Sequence, residues 1–168
     1  MISIGLLGCG RIGQVHATSI ARLTGAQLTA VADALPQAAE ALADQHGASV
    51  RTADDIITAT DIDAIVIATP TSLHYEQIHA IAHASKAILC EKPIDLSAAR
   101  AAECMDVVEK AGVPFMTAFN RRFDPHFAHL QAKLSAGAIG DAELVVITSR
   151  DPSPPPISYI KQSGGLFR

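Results

Sequence analysis

The stretch ISIGLLGCGRIG, residues 2–13, decides the fold class of this chain. Its first half is mainly apolar, as in a strand buried within a parallel sheet, and its second half has the form G-x-G-x-x-G and leads into an alanine-rich segment. Each glycine is expected to have its own role: Gly8 makes a tight turn, Gly10 lets the backbone approach a pyrophosphate, and Gly13 lets the following helix touch the strand. The stretch therefore predicts a phosphate-binding turn between a strand and a helix.

An acidic residue after the second predicted strand indicates which ligand this turn binds. Asp33 follows the strand-like run 27–32 and lies twenty residues after Gly13. A carboxylate there accepts hydrogen bonds from both ribose hydroxyls of a dinucleotide, whereas a 2′-phosphate would meet it as a like charge. NAD is therefore predicted in preference to NADP, with Arg11 and Ile12 lying against it. A purely structural glycine turn is the alternative, but strand, helix, unit length and acid all agree with nucleotide binding.

Composition and charge narrow the class of protein. The 168 residues are enough for one full core and the start of a second unit. Hydrophobic residues make up 49% and aromatic residues only 4%, which suits helices packed closely on a parallel sheet. The formal net charge of -4 gives no basic field, so we expect no nucleic-acid partner.

The lack of a targeting signal in the sequence and the spacing of its cysteines predict a cytoplasmic protein. Residues 1–20 lack a cationic start followed by an apolar run, and no stretch reaches the roughly 20 apolar residues that cross a bilayer. We therefore expect a soluble cytoplasmic protein without a membrane partner. The three cysteines form no C-x-x-C pair, which argues against a disulfide framework or a thiolate zinc site.

Strand-like and helix-like segments alternate along the chain, which predicts a doubly wound parallel α/β sheet. The predicted strands cover residues 2–7, 27–32, 49–51, 63–68, 86–90 and 115–118, and the helices after the first cover residues 37–46, 54–59, 73–84, 98–111 and 125–135. Ser72 is the predicted cap of the helix at 73–84. A further strand is predicted at 143–150. The predicted domains are a nucleotide-binding domain over 1–120 and the beginning of a second α/β domain over 121–168.

Polar residues follow several of the predicted strands at their carboxyl ends, where open α/β sheets bind ligands. These residues are Thr69, Pro70, Glu91, Lys92, Asn120 and Arg121. The first four are predicted to contact the cofactor. Asn120 and Arg121 supply many directed hydrogen bonds and are predicted to hold a polyol or anionic substrate, whereas Arg122 fits a salt-bridged domain junction better.

Lys92 is the candidate catalytic residue. It follows a buried strand, Glu91 before it can orient its ammonium group, and Pro93 after it restricts the backbone. Such a lysine can donate to a substrate hydroxyl and stabilise the alkoxide that develops as hydride leaves the neighbouring carbon. A solvated lysine in a surface turn is the alternative, and the nucleotide-binding turn favours the catalytic interpretation.

The histidines offer one further candidate but no metal site. His79 and His83, like His126 and His129, are one helical turn apart, but neither pair has an obvious third ligand, so no metal is predicted. His74 is expected on a loop beside the nicotinamide and is predicted to contact it. No G-x-S-x-G elbow and no P-loop lysine are present, which argues against hydrolase and kinase functions.

Taken together, these motifs resemble the Gfo/Idh/MocA oxidoreductases. The residues that carry the resemblance are Gly8–Gly13 with His16, Asp33, Ala68–Pro70, Glu91–Pro93, Asn120–Phe123 and Gly164–Gly165. Within the family, the run 121–125 and the segment 150–152 are most similar to members that oxidise inositol. The resemblance implies an N-terminal Rossmann domain, a C-terminal α/β domain that also forms homo-oligomer contacts, and NAD-linked oxidation of a ring hydroxyl of a polyol. It also implies that Lys92 is the catalytic lysine and that Asn120 and Arg121 lie on the substrate side.

The family also uses an Asp and a His, four residues apart, just beyond the point that corresponds to Arg168. The chain is therefore expected to be a truncated form that binds NAD but is catalytically impaired, since a missing general base costs about 10² to 10⁴ in rate. Two alternatives remain open at this point. One is a non-catalytic NAD-binding module that regulates a partner, and the other is a sugar dehydrogenase of different specificity within the same family.

Overall fold

The structure is a computed structural model, and it describes residues 1–150, 153–155, 157 and 160. The described part divides into two units, one formed by Met1–Ala118 and a second that begins at Phe119. The family signature at Gly164–Gly165 and most of the segment 150–152 lie outside the described residues.

The first unit is a six-stranded sheet covered by helices. Its strands are β1 Ile2–Leu7, β2 Ala26–Ala32, β3 Ser49–Val50, β4 Ala64–Ile67, β5 Ala87–Cys90 and β6 Phe115–Thr117. Its helices are α1 Arg11–Ile20, α2 Pro36–His46, α3 Ala53–Thr58, α4 His74–His83 and α5 Ala98–Ala111. The strand order is β3-β2-β1-β4-β5-β6 and all neighbouring strands are parallel, so the predicted doubly wound α/β sheet is confirmed. In the described part of the chain, no helix is both long and apolar enough to cross a membrane.

Two core clusters lie on opposite faces of this sheet. Leu6 packs in one cluster with Ala17 of α1 and Leu42 of α2. Leu7, the next residue of β1, packs in the other cluster, which includes Ile78 of α4 and residues of α3 and α5. Successive side chains of a strand point to opposite faces, so a strand covered on both sides has no polar face. This explains the nearly continuous apolar runs in the sequence.

Two helices of the first unit end in a glycine, and one predicted helix cap is absent. α2 and α5 both end in a left-handed glycine, Gly47 and Gly112, with φ of 69° and 66°. α5 is capped by Ser97, whose hydroxyl accepts from the amide of Arg100. The predicted cap at Ser72 is wrong, because a short 3-10 turn over Thr71–Leu73 precedes α4 and no side chain caps that helix.

The second unit begins with a 3-10 turn at Asn120–Phe123, followed by α6, Pro125–Ser135, as predicted. The Asp124 carboxylate caps α6 by accepting from the amides of His126 and Phe127. The predicted strand at 143–150 is wrong, because these residues form no regular secondary structure. Their apolar side chains at 144–147 are 71% to 83% exposed. A strand requires a neighbouring strand for its backbone hydrogen bonds, and the described residues provide none for this segment.

Lys86 is a buried cation that ties β5 to the loop between α3 and β4. It is only 8% exposed, and its ammonium group donates to the carbonyl oxygens of Ala59 and Ile62, the latter at 2.7 Å. A buried carbonyl without a donor is costly, so this lysine supports the amino-terminal edge of the sheet.

We expect Lys86→Met to lower the free energy of unfolding by about 2–3 kcal/mol, because a buried and a part-buried carbonyl lose their charged donor. Urea unfolding followed by circular dichroism measures the change. Lys110→Met, at an exposed position of α5, is the matched control and should stay within about 0.5 kcal/mol of the native chain. Equal effects of the two substitutions would contradict a structural role for Lys86.

Candidate functional site

The carboxyl ends of neighbouring parallel strands bring the predicted residues of the first unit to one edge of the sheet. The glycine turn follows β1, Asp33 follows β2, Thr69 follows β4, and Lys92 follows β5. The chain order reverses between β1 and β4, and ligands of doubly wound sheets bind in the crevice at such a reversal.

The glycines of the turn meet different constraints. Gly8 has φ +95°, and a Cβ on it would lie 2.6 Å from the backbone carbonyl of Ala68. A Cβ on Gly13 would overlap the carbonyl oxygen of Gly8, so this glycine allows α1 to touch the turn. By contrast, a Cβ on Gly10 would meet no protein atom within 4 Å. The fold itself thus requires Gly8 and Gly13, whereas Gly10 borders open space beside the start of α1.

Backbone amides face this open space. Gly10 is the N-cap of α1, and Arg11 and Ile12 form its first turn. Amides in the first turn of a helix have no acceptor within the helix, and the helix dipole makes this end positive. The turn therefore provides donors and partial positive charge for an anion, and a pyrophosphate fits this donor set.

A hydrogen bond joins the Asp33 carboxylate to the glycine turn. One carboxylate oxygen accepts from the amide of Cys9 at 2.6 Å, and the other accepts from the amide of Leu35 at 2.8 Å. Each oxygen has further lone pairs, so these bonds leave acceptor capacity for ribose hydroxyls. Sequence reasoning found the position of Asp33 but not its second role, which is to hold the turn.

Side chains of α4 hold the loop after β4 in place. The Thr69 hydroxyl donates to Oε1 of Gln77 at 2.6 Å, and Pro70 is exposed. His74 is only 1% exposed, and its two ring nitrogens each lie 2.9 Å from a backbone carbonyl oxygen, those of Thr69 and Pro93. The expected loop position is therefore corrected: His74 begins α4, is buried, and supports two loops of the site. Its predicted contact with a nicotinamide stays a prediction.

Glu91 turns toward α1 and not toward the lysine that follows it. Its Oε1 lies 2.8 Å from Nε2 of His16, and its Oε2 accepts from the backbone amide of Lys92 at 3.3 Å. The expectation that Glu91 orients the lysine ammonium is wrong, because its carboxylate is engaged by His16. Lys92 itself is exposed, and its ammonium group has no hydrogen-bond partner in the described part of the protein.

Sequence reasoning gave His16 no role of its own. The helix spacing carried a signal, since Gly13, Ala17 and Ile20 form the buried face of α1 and His16 is adjacent to that face. A histidine so placed, one turn after the phosphate-binding end of a helix, lies near the carboxyl edge of the sheet.

Asn120 and Arg121 belong to the second unit and are both exposed. The Arg121 guanidinium lies over the ring of Phe127, with 5.5 Å between the guanidinium carbon and the ring centroid. Within the second unit, this contact stacks Arg121 on α6. Their predicted role toward a substrate stays a prediction.

The histidine pairs do not form a metal cluster within the described residues, where no group of three or more His, Cys, Asp or Glu side chains is placed to hold an ion. His83 donates to the carbonyl oxygen of His79 at 2.6 Å, and the His79 ring stacks on Tyr75 with 4.3 Å between centroids. These contacts account for that pair as part of the packing of α4.

The cysteines of the site are buried thiols. Burial, and to a smaller extent the charge of Asp33, raises the pKa of Cys9 to about 11. Burial likewise raises the pKa of Cys90 to about 12 and that of Cys104 to about 11. A thiol rather than a thiolate is thus present at neutral pH, and Cys9 fills space beneath the turn.

Gly8→Ala should destabilise the chain by about 3 kcal/mol or more, because a left-handed conformation costs roughly 1–2 kcal/mol and the overlap with Ala68 adds a similar amount. Gly47→Ala is the matched control, since it has φ +69° but no atom within 4 Å of an added Cβ. It should cost only about 1–2 kcal/mol. Urea unfolding separates the two, and an equal loss would show that the close approach at Gly8 is unimportant.

The native chain should react with Ellman's reagent at pH 8 at least about 100-fold more slowly than a free thiol of pKa about 8.5, because its thiolate fraction is very small. In urea, all three cysteines should react rapidly. The free energy of unfolding should also fall as pH rises above about 8.5, because the thiols ionise in the unfolded chain but stay protonated in the folded chain. Rapid reaction of one thiol in the folded chain would contradict the burial described above.

Residues 2–119 match a family model described as the oxidoreductase family with NAD-binding Rossmann fold, Gfo/Idh/MocA. The inositol 2-dehydrogenase of Rhizobium meliloti (strain 1021) is 54% identical over 167 residues, covering 99% of this chain and 51% of that protein. A crystal structure of a myo-inositol dehydrogenase from Corynebacterium glutamicum superposes with a TM-score of 0.91 at 41% identity, covering 100% of this chain and 51% of that one. A scyllo-inositol dehydrogenase from Lactobacillus casei, solved with bound NAD(H) and scyllo-inositol, gives a TM-score of 0.80 at 32% identity over 84% of this chain and 43% of that one.

The chain spans about half the length of the curated relatives it matches. The family model covers the glycine turn and Asp33, from which NAD binding was predicted, and also Lys92. Both the resemblance and the predicted cofactor are therefore confirmed at the level of the family. The chain belongs to the Gfo/Idh/MocA family of oxidoreductases, whose NAD-binding Rossmann fold it shares, and its relatives include inositol 2-dehydrogenases.

Proposed function

We propose that this chain supplies the NAD-binding domain and the catalytic lysine of a dehydrogenase that oxidises a ring hydroxyl of an inositol-type polyol. The observation that carries the proposal is the 2.6 Å hydrogen bond from the Cys9 amide to Asp33. This bond makes the phosphate-binding turn and the ribose-binding carboxylate one rigid unit. Such a unit favours a dinucleotide over an isolated phosphate, because both ends of the adenosine half are recognised together.

The residues around Gly10 fit the pyrophosphate of NAD. The amides of Arg11 and Ile12 lie at the positive end of α1, and a side chain at Gly10 would occupy the open space in front of them. Asp33 would accept from the ribose hydroxyls and would repel a 2′-phosphate. Thr69, Pro70 and Glu91 lie after β4 and β5, where backbone or side-chain atoms can border the nicotinamide half.

Lys92 is the proposed catalytic residue. When bound, NAD accepts the hydride that leaves the ring carbon of the substrate. The Lys92 ammonium group is exposed after β5 and can donate to the oxygen on that carbon. Its positive charge then stabilises the developing alkoxide, which is the typical role of a fixed cation at such a site. The hydroxyl proton passes to a general base, the role that the family resemblance gives to a histidine and not to Lys92.

The substrate side of the proposal rests on the relatives and on the polar side chains of Asn120 and Arg121. The named activities of the similar proteins, inositol 2-dehydrogenase and scyllo-inositol dehydrogenase, support a cyclic polyol as substrate. We propose domains at 1–120 and 121–168, with Asn120 and Arg121 as substrate contacts and a homo-oligomer as the assembly.

Oxidation of myo-inositol, scyllo-inositol and glucose by the whole protein, compared by NADH absorbance, would test the substrate class. A preference for glucose would contradict the inositol assignment.

Calorimetric titration of the chain with NAD and NADP tests cofactor binding. We expect NAD to bind at least about tenfold more tightly than NADP, because a 2′-phosphate meets the charge of Asp33. Gly10→Ala should weaken NAD binding by about tenfold or more, since the added Cβ enters the space for the pyrophosphate. Its free energy of unfolding should change by no more than about 1 kcal/mol, because no protein atom is within 4 Å of that Cβ.

Gly25→Ala is the matched control for this titration. An added Cβ at Gly25 also meets no atom within 4 Å, and Gly25 precedes β2 at the opposite edge of the sheet. It should leave NAD affinity unchanged. Equal affinity for the two cofactors, or an unchanged affinity of Gly10→Ala for NAD, would contradict the proposed binding mode.

A further inference from the structure

The segment that carries Lys92 has no regular secondary structure, so other contacts must hold it in place. On its strand side, the Glu91 amide donates to the carbonyl oxygen of Ile67 at 2.9 Å. On the other side, the Pro93 carbonyl oxygen faces a ring nitrogen of the buried His74 at 2.9 Å. Between these two anchors, the side chain of Glu91 contacts the backbone amide of Lys92.

The Glu91 carboxylate is held by a residue of the cofactor-binding helix. His16 Nε2 lies 2.8 Å from Glu91 Oε1, and both side chains are only 18% exposed. Partial burial strengthens such a contact relative to an ion pair in open solvent. The remaining carboxylate oxygen accepts from the Lys92 amide at 3.3 Å, so the backbone of the lysine is linked to His16 through one side chain.

The partners in this contact are 75 residues apart in sequence and come from two parts of the proposed site. His16 lies one helical turn after Ile12, whose amide is in the first turn of α1. α1 is fixed to the glycine turn, because Gly13 packs directly on Gly8. His16 therefore connects a rigid helix that starts at the phosphate-binding turn with an irregular segment that bears the lysine.

We propose that His16 is a positioning residue, which holds Glu91 and thereby sets the position of Lys92 relative to the cofactor-binding turn. This inference rests on the proposed function, since it assumes that both the turn and the lysine serve one reaction. A purely structural hydrogen bond would contribute to global stability without affecting the Lys92 segment more than other segments. The two interpretations therefore differ in where the effect of a substitution appears.

Amide hydrogen exchange of the folded 168-residue chain, followed by NMR, tests this difference. In His16→Ala, the amides of Glu91 and Lys92 should exchange about tenfold or more faster, whereas those of Leu6 and Ile65 in the sheet should be unchanged. His16→Gln should restore exchange to within about threefold of the native rate, because the Gln amide nitrogen can also donate to Glu91.

Arg51→Ala is the matched control, since it breaks an ion pair of the same 2.8 Å length, with Asp61, after β3, which three strands separate from β5. It should leave exchange at Glu91 and Lys92 unchanged. Native exchange rates in His16→Ala, equal rates in the Ala and Gln variants, or uniform acceleration over the sheet would each overturn the inference. Failure of the native chain to bind NAD would instead overturn the proposed function, and the exchange result would still report whether His16 holds the segment.

Discussion

The close approach of three backbone segments at Gly8 is the constraint on which the site depends. The Gly8 amide donates to the carbonyl oxygen of Ala32 at 2.8 Å, while its Cα faces Ala68 and its carbonyl oxygen lies against Gly13. The ends of β2 and β4 and the start of α1 therefore meet at one residue that has no side chain. Because this packing fixes where α1 begins, it also fixes where the first-turn amides point.

Beyond the strand ends, side-chain contacts between loops hold the polar residues of the first unit. Asp33 holds the glycine turn, the buried His74 lies between the loops after β4 and β5, and His16 holds Glu91. Hydride transfer requires that the reacting carbon and the catalytic lysine be held in fixed positions relative to the cofactor. In the proposed function, the exposed Lys92 ammonium group meets a substrate, while its backbone is held by residues that do not take part in the chemistry.

The strands of the first unit, and its α-helices after the first, could be predicted to within one residue at each end, because the central strands are covered on both faces and the turns use glycine and proline. Long-range choices could not be predicted in this way. Residues 143–150 have a strand-like composition, but whether they pair depends on a neighbouring strand that local sequence does not specify. Glu91 was assigned to its sequence neighbour Lys92, whereas its spatial neighbour is His16. His74 was placed on a loop, because the sequence does not reveal that carbonyls of two distant segments surround its ring.

The most direct test of the central claim, that the first turn of α1 and Asp33 form one dinucleotide-binding unit, is an NMR titration of the ¹⁵N-labelled chain with NAD. The largest chemical-shift changes should fall on the amides of Gly10, Arg11, Ile12 and Gly13 and on Asp33. Amides near Lys86, at the opposite edge of the sheet, should not change. Binding with its main changes at that opposite edge, or at residues of α6, would contradict the claim.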